Sequence, residues 1–271
     1  GTFTDMVFLT SGGSALTLKV PSTPDDYSRG IAEGLAQVFL AGEIAAGAIS
    51  EVIHGTTIAT NAILEHQGVK TGLITTHGFR DVLEIRRLRM PKLYDLTWQK
   101  PKPLAARADR AEVVGRIDHQ GCVLTPLDEA SAVAAIEKLL DNGVEAIAVC
   151  LINGYVNGEH EQRIGELIAA RAPELPVCLS SEILPEIKEY ERTSTAVVNA
   201  YILPVVARYL TALSASLERL GVTAPLLVMQ SSGGAMGVRA ACLRPIHIIE
   251  SGPAAGVVGG GEVAAKLGFE D

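Results

Sequence analysis

The sequence begins with Gly1-Thr2-Phe3-Thr4-Asp5, a short polar stretch that leads directly into the apolar run Met6-Val7-Phe8-Leu9. Glycine lets the backbone approach a ligand closely, and the threonine hydroxyls and backbone amides can donate hydrogen bonds to an anion. The carboxylate of Asp5 can hold a water molecule on a divalent metal. An ordinary hairpin turn has the same composition, and composition alone favours that simpler interpretation.

The residues that follow predict a β-hairpin and then a helix. Ser11-Gly12-Gly13-Ser14 is typical of a turn, and residues 15–20 alternate as a returning strand would. Thr23-Pro24-Asp25-Asp26 then predicts a helix start, with Thr23 as the capping residue and the proline and acids in the first turn. The opening stretch Gly1-Thr2-Phe3-Thr4-Asp5 is therefore predicted to lead into a β-hairpin that is followed by a helix.

Composition places the chain among α/β proteins with a large core. It has 271 residues, 48% of them apolar and few of them aromatic, which suggests one or two domains. The formal net charge of −8 argues against nucleic acid as a partner. An anionic cofactor remains possible, because backbone amides can bind phosphate inside an acidic protein.

The cysteines and the apolar runs indicate a cytoplasmic protein. Four cysteines are far apart, without metal-ligand spacing, and we expect reduced thiols: Cys122, Cys150, Cys178 and Cys242. No signal peptide is visible, and we expect no apolar run long enough to span a membrane. We also expect the sequence to be a fragment of a longer protein.

Hydrophobic periodicity predicts an alternation of strands and helices along the rest of the chain. We expect strands at residues 51–57, 71–76, 144–152, 177–180, 225–230 and 246–249, and a second hairpin within 112–123. We expect helices that begin near residues 58 and 78, and others at 125–140, 158–170 and 189–220, the last of them interrupted by Pro204. This order is typical of an α/β fold.

Three polar stretches are candidates for function. His54 follows a predicted strand and is open to three interpretations: a general base, a substrate hydrogen-bond partner, or a histidine satisfied by backbone groups. Glu191 lies in the polar start of the long helix, where acids also suit the helix dipole. The stretch 250–256 combines a strand end, a Gly-Pro turn and small residues, which suits a nucleotide but also close helix packing.

Six short stretches of the sequence are weak motifs when each is taken singly. They are Gly1-Thr2-Phe3-Thr4-Asp5, His54-Gly55-Thr56-Thr57-Ile58-Ala59-Thr60-Asn61-Ala62, Gly78-Phe79-Arg80-Asp81-Val82-Leu83-Glu84-Ile85, Leu184-Pro185-Glu186-Ile187 with Glu189-Tyr190-Glu191-Arg192-Thr193-Ser194-Thr195, Met229-Gln230-Ser231-Ser232-Gly233-Gly234, and Ser251-Gly252-Pro253-Ala254-Ala255-Gly256. Taken together they resemble the hydantoinase A/5-oxoprolinase family along essentially the whole chain, and six motifs in the family's order are specific. The family includes N-methylhydantoinase A and acetone and acetophenone carboxylase subunits.

The resemblance implies an α/β fold of the actin-like (ribonuclease H-like, hexokinase-like) ATPase type, with one lobe present and the approach to the second. It implies an N-terminal domain over residues 1–175 and the start of a core domain over 176–271. ATP and Mg²⁺ (or Mn²⁺) would be the cofactors. The residues implied to bind the nucleotide are Gly1, Thr2, Thr4, Ser251, Gly252 and Gly256, with Asp5 as metal ligand and catalytic residue.

The resemblance also implies the chemistry: phosphorylation of a cyclic amide by ATP, so that water can open the ring. His54 and Glu191 would be catalytic, and Thr56, Thr57 and Arg192 would bind the substrate. One alternative is a subunit of an ATP-dependent ketone carboxylase that phosphorylates an enolate, and another is a non-catalytic scaffold. We expect a hydantoinase B-type partner subunit or domain, an oligomer, and neither nucleic acid nor membrane as partner.

Two family features are absent from this sequence. The family pattern has an acidic residue and a further glycine just before the position of Gly1. It also has a second loop of the Asp-Gly-Gly-Thr type, which we expect soon after Asp271. We therefore expect the fragment alone to be inactive.

Overall fold

The structure, a computed structural model, describes residues 3–23, 26–87, 89, 94–95 and 97–268. Its backbone contacts divide the chain into two compact units: unit 1, with Gly1–His66 and Val205–Asp271, and unit 2, with Gln67–Pro204. The predicted helix-start residues Pro24 and Asp25 lie outside the described residues. The expected domain boundary after residue 175 stays a prediction.

Unit 1 begins with the predicted hairpin. Strands β1 (Phe3–Leu9) and β2 (Ala15–Pro21) pair antiparallel, and the Thr10 N–H closes the turn by donating to the Ser14 carbonyl oxygen at 3.0 Å. Gly13 takes a φ of 82°, a conformation that glycine adopts without a steric penalty. The hairpin prediction is confirmed.

Helix α1 (Tyr27–Leu40) follows, but the predicted cap is wrong. Asp26 directly precedes the first helical residue, and its carboxylate accepts a hydrogen bond from the Ser28 N–H at 3.0 Å. Thr23 lies too far upstream to cap this helix, and its hydroxyl oxygen instead accepts from the Gly30 N–H at 3.0 Å. The chain then forms β3 (Val52–His54) and α2 (Ile58–Leu64), as predicted.

Unit 2 is built on a four-stranded parallel sheet with the order β5-β4-β8-β9. Two of its strands are buried at every residue, as expected for parallel strands covered on both faces. In chain order the elements are β4 (Thr71–Thr76), α3 (Val82–Ile85), β5 (Arg110–Val113), β6 (Arg116–Ile117), β7 (Val123–Thr125), α4 (Glu129–Asp141), β8 (Ala146–Cys150), α5 (Glu159–Arg171), β9 (Val177–Leu179) and α6 (Ser180–Ile183).

The second predicted hairpin is shorter than expected. Only β6 and β7 form it, around a turn in which the Asp118 N–H donates to the Cys122 carbonyl oxygen. Residues 112–113, which the prediction included, belong to β5 in the main sheet, because Ala111 and Val113 are buried in the core with α4 and α5. The alternation of apolar residues does not show whether a segment pairs within the hairpin or with a strand of the main sheet.

Helix α7 (Glu189–Arg219) is the long helix that the sequence predicts, with Pro204 inside it. The division between the units falls directly after this proline. Among the described residues α7 is the one helix whose length and hydropathy would allow it to cross a membrane, so the expectation that no such segment exists is wrong. Because 56% of its apolar window is buried inside the protein, a core helix accounts for it equally well.

The last part of unit 1 adds two strands and two helices. They are β10 (Leu226–Met229), β11 (Ala235–Gly237), α8 (Val238–Leu243) and α9 (Ser251–Lys266). Strand β10 lies between β11 and β3, antiparallel to the first and parallel to the second. The two sheets of unit 1 are thus a hairpin and a three-stranded sheet.

Two predictions in this part are wrong. The segment predicted as a strand at residues 246–249 forms a 3₁₀ helix, Pro245–Ile248, because Pro245 has a fixed φ suited to a helical turn and no N–H for a strand ladder. The stretch predicted as a Gly-Pro turn is the start of α9. Pro253 is tolerated there, since the first-turn N–H groups of a helix have no acceptor within it.

All four cysteines are free, as predicted. Cys150 and Cys178 are buried, and burial raises the pKa of both thiols. These two thiols are therefore protonated and unreactive at neutral pH.

Candidate functional site

The structure distributes the predicted site residues over both units. Gly1 and Thr2 lie outside the described residues. Unit 2 holds Glu191 and Arg192. Unit 1 holds the others: Thr4, Asp5, His54, Thr56, Thr57, Ser251, Gly252 and Gly256.

Two of the predicted motifs meet in unit 1 at the N-terminus of α9. The Ser251 hydroxyl donates to the Thr56 carbonyl oxygen at 3.0 Å, and the Thr60 hydroxyl donates to the Ile249 carbonyl oxygen. A Cβ added to Gly252 would lie 4.0 Å from Thr57 Cγ2. Residues predicted for nucleotide and residues predicted for substrate are therefore neighbours, although about 195 positions separate them along the chain.

This helix N-terminus has the electrostatics of an anion site. Helix α9 has 16 residues, and no side chain caps its N-terminus. The N–H groups of Ser251 and Gly252 are not used by hydrogen bonds within the helix, whereas Pro253 has no N–H. The helix dipole also places partial positive charge there. Ser251 is fully buried, so its hydroxyl serves the contact with Thr56, whereas Gly252 is exposed. Gly256 is exposed too but lies in the second turn, away from the free amides.

His54 is held by a residue that the sequence analysis did not assign to the site. Its Nε2 atom and the Tyr209 hydroxyl are 2.7 Å apart, and Thr56 also hydrogen-bonds to that hydroxyl. Burial lowers the pKa of His54 to about 4 and raises the pKa of Tyr209, so both side chains are neutral at pH 7. A neutral imidazole with so low a pKa is a weak base but can still hydrogen-bond a polar group of a ligand.

Thr4, Asp5 and His54 border one pocket of unit 1, with a volume of about 600 Å³. Asp5 is exposed and forms an ion pair with Lys19 at 3.3 Å. The Thr4 hydroxyl is 3.1 Å from that of Ser22. The structure therefore brings three predicted residues, from two segments of the chain, to the border of one pocket.

Asp5 fits the requirements of Mg²⁺ but does not form a complete protein cage. Mg²⁺ is usually bound by one or two carboxylates together with waters and substrate phosphates, and Asp5 is an accessible carboxylate of this kind. Within the described part of the chain, no three His, Cys, Asp or Glu side chains are grouped to hold a metal. A metal at Asp5 would therefore depend on waters and phosphate oxygens for its other ligands.

In unit 2, Glu191 is paired with an arginine. Arg87 Nε donates to Glu191 Oε1 at 2.7 Å, and Arg87 Nη2 donates to Oε2. These hydrogen bonds lower the pKa of Glu191. The carboxylate is therefore ionised at neutral pH and pairs with the Arg87 guanidinium. The predicted catalytic role of Glu191 stays a prediction.

Arg192, next in the sequence, is fully buried among protein groups. Its Nη2 atom donates to the Leu151 carbonyl oxygen at 2.7 Å, and its Nη1 atom donates to the Ser180 hydroxyl at 3.1 Å. The guanidinium also lies over the ring of Tyr155, 5.6 Å from its centroid. The two hydrogen bonds use one N–H of each terminal nitrogen, and the buried Nε atom has no hydrogen-bond partner among the described residues. The predicted contact of Arg192 with substrate stays a prediction.

Arg192 forms ion pairs with two carboxylates, each at 3.7 Å: Glu161, which is also fully buried, and Glu189, whose side chain is partly exposed. Glu161 Oε1 accepts from the Leu151 N–H at 2.8 Å and the Ser180 hydroxyl at 2.7 Å, and Oε2 accepts from the Ser181 N–H at 2.8 Å. Such a set of donors compensates the loss of water around a buried carboxylate. We call Glu161, Ser180 and Arg192 with their backbone partners the buried ionic cluster.

Comparison with protein families identifies the relatives of this chain. A model for the hydantoinase/oxoprolinase N-terminal region matches residues 1–172, and a model for hydantoinase/oxoprolinase matches residues 192–271. The caprolactamase subunit alpha of Pseudomonas jessenii is 39% identical, and the match covers 100% of this chain and 40% of that protein. The acetophenone carboxylase gamma subunit of Aromatoleum aromaticum is 34% identical, with 100% and 39% covered.

Two solved structures share the fold. The crystal structure of ATP-dependent caprolactamase from Pseudomonas jessenii matches with a TM-score of 0.90 and 38% identity, over 99% of this chain and 40% of that one. A nucleotide-free acetone carboxylase structure matches with a TM-score of 0.89 and 26% identity, over 98% and 40%.

These matches confirm the predicted α/β, actin-like ATPase fold. The chain spans about two fifths of the length of these relatives. Its two family models together cover nearly all of its residues in the expected order. The chain therefore belongs to the hydantoinase/oxoprolinase family.

Proposed function

We propose that the protein to which this chain belongs uses ATP to open a cyclic amide. The observation that carries the proposal is the match to caprolactamase over the whole chain, at 39% sequence identity and with a TM-score of 0.90 to a structure described as ATP-dependent. Amides are poor electrophiles, and ATP supplies the phosphoryl group that activates the carbonyl for attack by water. Most of the catalytic load then falls on positioning and charge neutralisation.

Unit 1 supplies the groups for phosphate and metal in this proposal. The free amides at the N-terminus of α9 and the adjoining Thr57 favour an anion, and the Asp5 carboxylate is accessible to Mg²⁺ or Mn²⁺. His54 is neutral, so its proposed role is a hydrogen bond to the amide and not general-base catalysis at pH 7. Glu191 remains proposed on the substrate side, where its charge would orient a polar group.

A second candidate is an ATP-dependent ketone carboxylase that phosphorylates an enolate oxygen. The 34% identity to the acetophenone carboxylase gamma subunit and the TM-score of 0.89 to acetone carboxylase favour it. The amide hydrolase is preferred because sequence identity to caprolactamase is higher in both comparisons.

We also propose a partner subunit and a reducing compartment. Relatives are described as alpha, beta and gamma subunits, so these relatives act in multi-subunit complexes. By analogy the partner would be of the hydantoinase B type, in an oligomer. The four free cysteines suit the cytoplasm.

The test uses the full-length protein with its partner subunit. It is incubated with Mg-ATP and, separately, with caprolactam, hydantoin, 5-oxoproline, or acetone or acetophenone plus bicarbonate. We expect ADP and a ring-opened acid from at least one cyclic amide and no carboxylated ketone. A carboxylated ketone without any ring opening would establish the second candidate, and no ADP from any mixture would establish a scaffold.

The Asp5 assignment is tested by calorimetry with Mg-ATP. Asp5→Asn should lower the affinity, whereas Lys19→Met, which removes the ion-pair partner but leaves the carboxylate, should not. Equal affinities in wild type and Asp5→Asn would remove Asp5 from the site.

A further inference from the structure

Unit 2 contains a pocket of about 100 Å³ that none of the predicted site residues lines. Among the described residues, its lining comes from three segments: residues 83–86, residues 102–104, and residues 190–198 at the start of α7. The first and the last of these segments overlap with two of the six sequence motifs, at residues 78–85 and 189–195. Two motifs that are far apart in the sequence therefore meet at one pocket.

Part of the lining is apolar and tightly packed. Leu83 and Val197 are 4% and 2% exposed, and Pro103, Leu104 and Val198 also line the pocket. An apolar cavity of about 150 Å³ can hold one benzene ring, so this pocket has room for about four carbon atoms. The apolar part therefore suits a short hydrocarbon group.

The other lining side chains are polar, and most of their polar groups have no partner. Within the described part of the chain, no hydrogen bond or ion pair involves the Lys102 ammonium, the Tyr190 hydroxyl or the Ser194 hydroxyl. The Arg86 guanidinium donates one hydrogen bond, from Nη2 to the Pro101 carbonyl oxygen. Two cations and two hydroxyls therefore border the apolar part of the pocket.

The described residues that line the pocket include no carboxylate. The carboxylates next to the lining residues in the sequence pair with other arginines: Glu84 with Arg110, Glu189 with Arg192, and Glu191 with Arg87. The pocket therefore offers Arg86 and Lys102 no counter-ion, and an anionic ligand would supply one.

Arg86 is restrained at the pocket by its backbone as well as by its side chain. It directly follows α3 and has a φ of 58° and a ψ of −141°, a conformation that residues other than glycine rarely adopt. Such a conformation persists only where the surrounding structure holds it. The hydrogen bond to the Pro101 carbonyl oxygen restrains the guanidinium in addition. An arginine restrained in this way loses little further freedom when it binds an anion.

The two cations belong to a basic stretch of an acidic chain. Residues 80–110 contain nine Lys or Arg and four Asp or Glu, a net charge of +5, whereas the whole chain has a net charge of −8. The residues outside this stretch therefore have a net charge of −13. Such an asymmetry attracts anions to the basic stretch and increases the rate at which they bind there.

We propose that this pocket is a binding site for a small monocarboxylate whose uncharged apolar body has about three to five carbon atoms. The carboxylate pairs with Arg86 and Lys102 and accepts hydrogen bonds from the two hydroxyls, and the body packs against Leu83 and Val197. A phosphate would leave the apolar part unfilled, and an ammonium group on the ligand would find no carboxylate in the lining. The proposal does not depend on the proposed enzymatic function.

A ligand-observed NMR titration of the full-length protein tests the proposal with two probes of the same shape. Butanoate is an anion, and butanamide is its neutral counterpart. We expect butanoate to bind at least about tenfold more tightly, because only the anion pairs with the two cations. Inorganic phosphate at the same concentration should not displace butanoate, since it lacks the apolar body. Equal affinities for the two probes would overturn the proposal, as would displacement by phosphate or the absence of butanoate binding.

A matched pair of lysine substitutions tests whether the pocket itself binds butanoate. Lys102→Met removes a cation that lines the pocket and should weaken binding about tenfold. Lys100→Met changes the charge of the same basic stretch equally, but Lys100 does not line the pocket, and its Nζ atom donates to the Glu84 carbonyl oxygen. This control should weaken binding less than about twofold, because solvent and salt screen an exposed charge that does not touch the ligand. Equal weakening by both substitutions would overturn the proposal.

Ser194→Leu gives an independent measurement, because it places a larger side chain in the pocket from α7. We expect this variant to lose butanoate binding while its circular dichroism spectrum shows that it is folded. An affinity unchanged by both Lys102→Met and Ser194→Leu would locate butanoate elsewhere on the protein and overturn the proposal.

Discussion

Glu191 and Arg192 are adjacent in α7 and carry opposite charges, but they lie in opposite environments. The Glu191 side chain is 42% exposed and paired with Arg87, whereas Arg192 is fully buried in the buried ionic cluster. Successive residues of a helix point about 100° apart, so neighbours in sequence need not share a surface. Both residues have a partner, so the effect of removing either charge on the free energy of unfolding should depend on its solvation and not on the presence of a partner.

The largest effect should come from Arg192→Ala. This substitution leaves the Glu161 carboxylate buried without its counter-ion, and breaking a buried pair in this way costs about 3–5 kcal/mol. Chemical denaturation should therefore show a free energy of unfolding lowered by that amount.

The matched control is Arg163→Ala on α5. Arg163 also pairs with two carboxylates, those of Glu129 and Glu166, but its side chain is 45% exposed, so its loss should lower the free energy of unfolding far less than the loss of Arg192. The double variant E161L/R192M removes both buried charges and should be more stable than Arg192→Ala. Equal losses for Arg192→Ala and Arg163→Ala would remove the distinction between buried and exposed pairs.

Gly154→Ala tests how tightly the buried ionic cluster is packed. An added Cβ would lie 2.5 Å from Glu161 Oε1 and 3.0 Å from Arg192 Nη1, so the cluster would have to move. Overpacking of this kind costs about 1–3 kcal/mol, and we expect the upper end because buried charges would lose hydrogen bonds. Gly237→Ala is the control, since its Cβ would meet nothing within 4 Å and its φ of −67° suits alanine. A cost equal to that of Gly237→Ala would show that the cluster has room.

The elements that the sequence predicted well are those whose signal is local. The first hairpin, the buried strands β4 and β8 and the long helix α7 each follow from turn residues or apolar periodicity over a short window. The wrong strand near residue 246 had a visible local contrary signal, since Pro245 directly precedes it.

The site could be predicted only in part, because its contacts are between distant residues. Tyr209 is 155 positions from His54, and the sequence shows it only as one residue of the segment 189–220 that is predicted to be a helix. From the sequence alone, Glu161 is interpreted as an ordinary acidic residue in the first turn of α5, and only the tertiary structure shows that it is buried. The motifs therefore indicate which segments contain polar candidate residues, but not which of those side chains are buried among protein groups.

The pH dependence of stability tests the contact between His54 of β3 and Tyr209 of α7, in which both side chains are neutral at pH 7. The pKa of His54 is about 4 when folded and 6.5 at its ordinary value, so protons bind the unfolded chain preferentially between these values. The contribution of His54 is complete above pH 6.5 and decreases as the pH falls toward 4. Between pH 7 and pH 5 the wild type should lose about 2 kcal/mol more than His54→Gln. Parallel pH profiles for the two proteins would show that His54 is not desolvated.

The smallest effect should come from Arg87→Ala at the exposed end of the comparison. Water solvates Glu191 once its partner is lost, so the free energy of unfolding should change very little. The pKa of Glu191 should nevertheless rise toward its ordinary value, because the hydrogen bonds from Arg87 lower it. An NMR titration of the Glu191 carboxyl carbon in wild type and variant measures this, and Arg87→Lys should restore part of the shift. A stability loss comparable to that of Arg192→Ala would mean that Glu191 is also desolvated, and the contrast between these two neighbours would disappear.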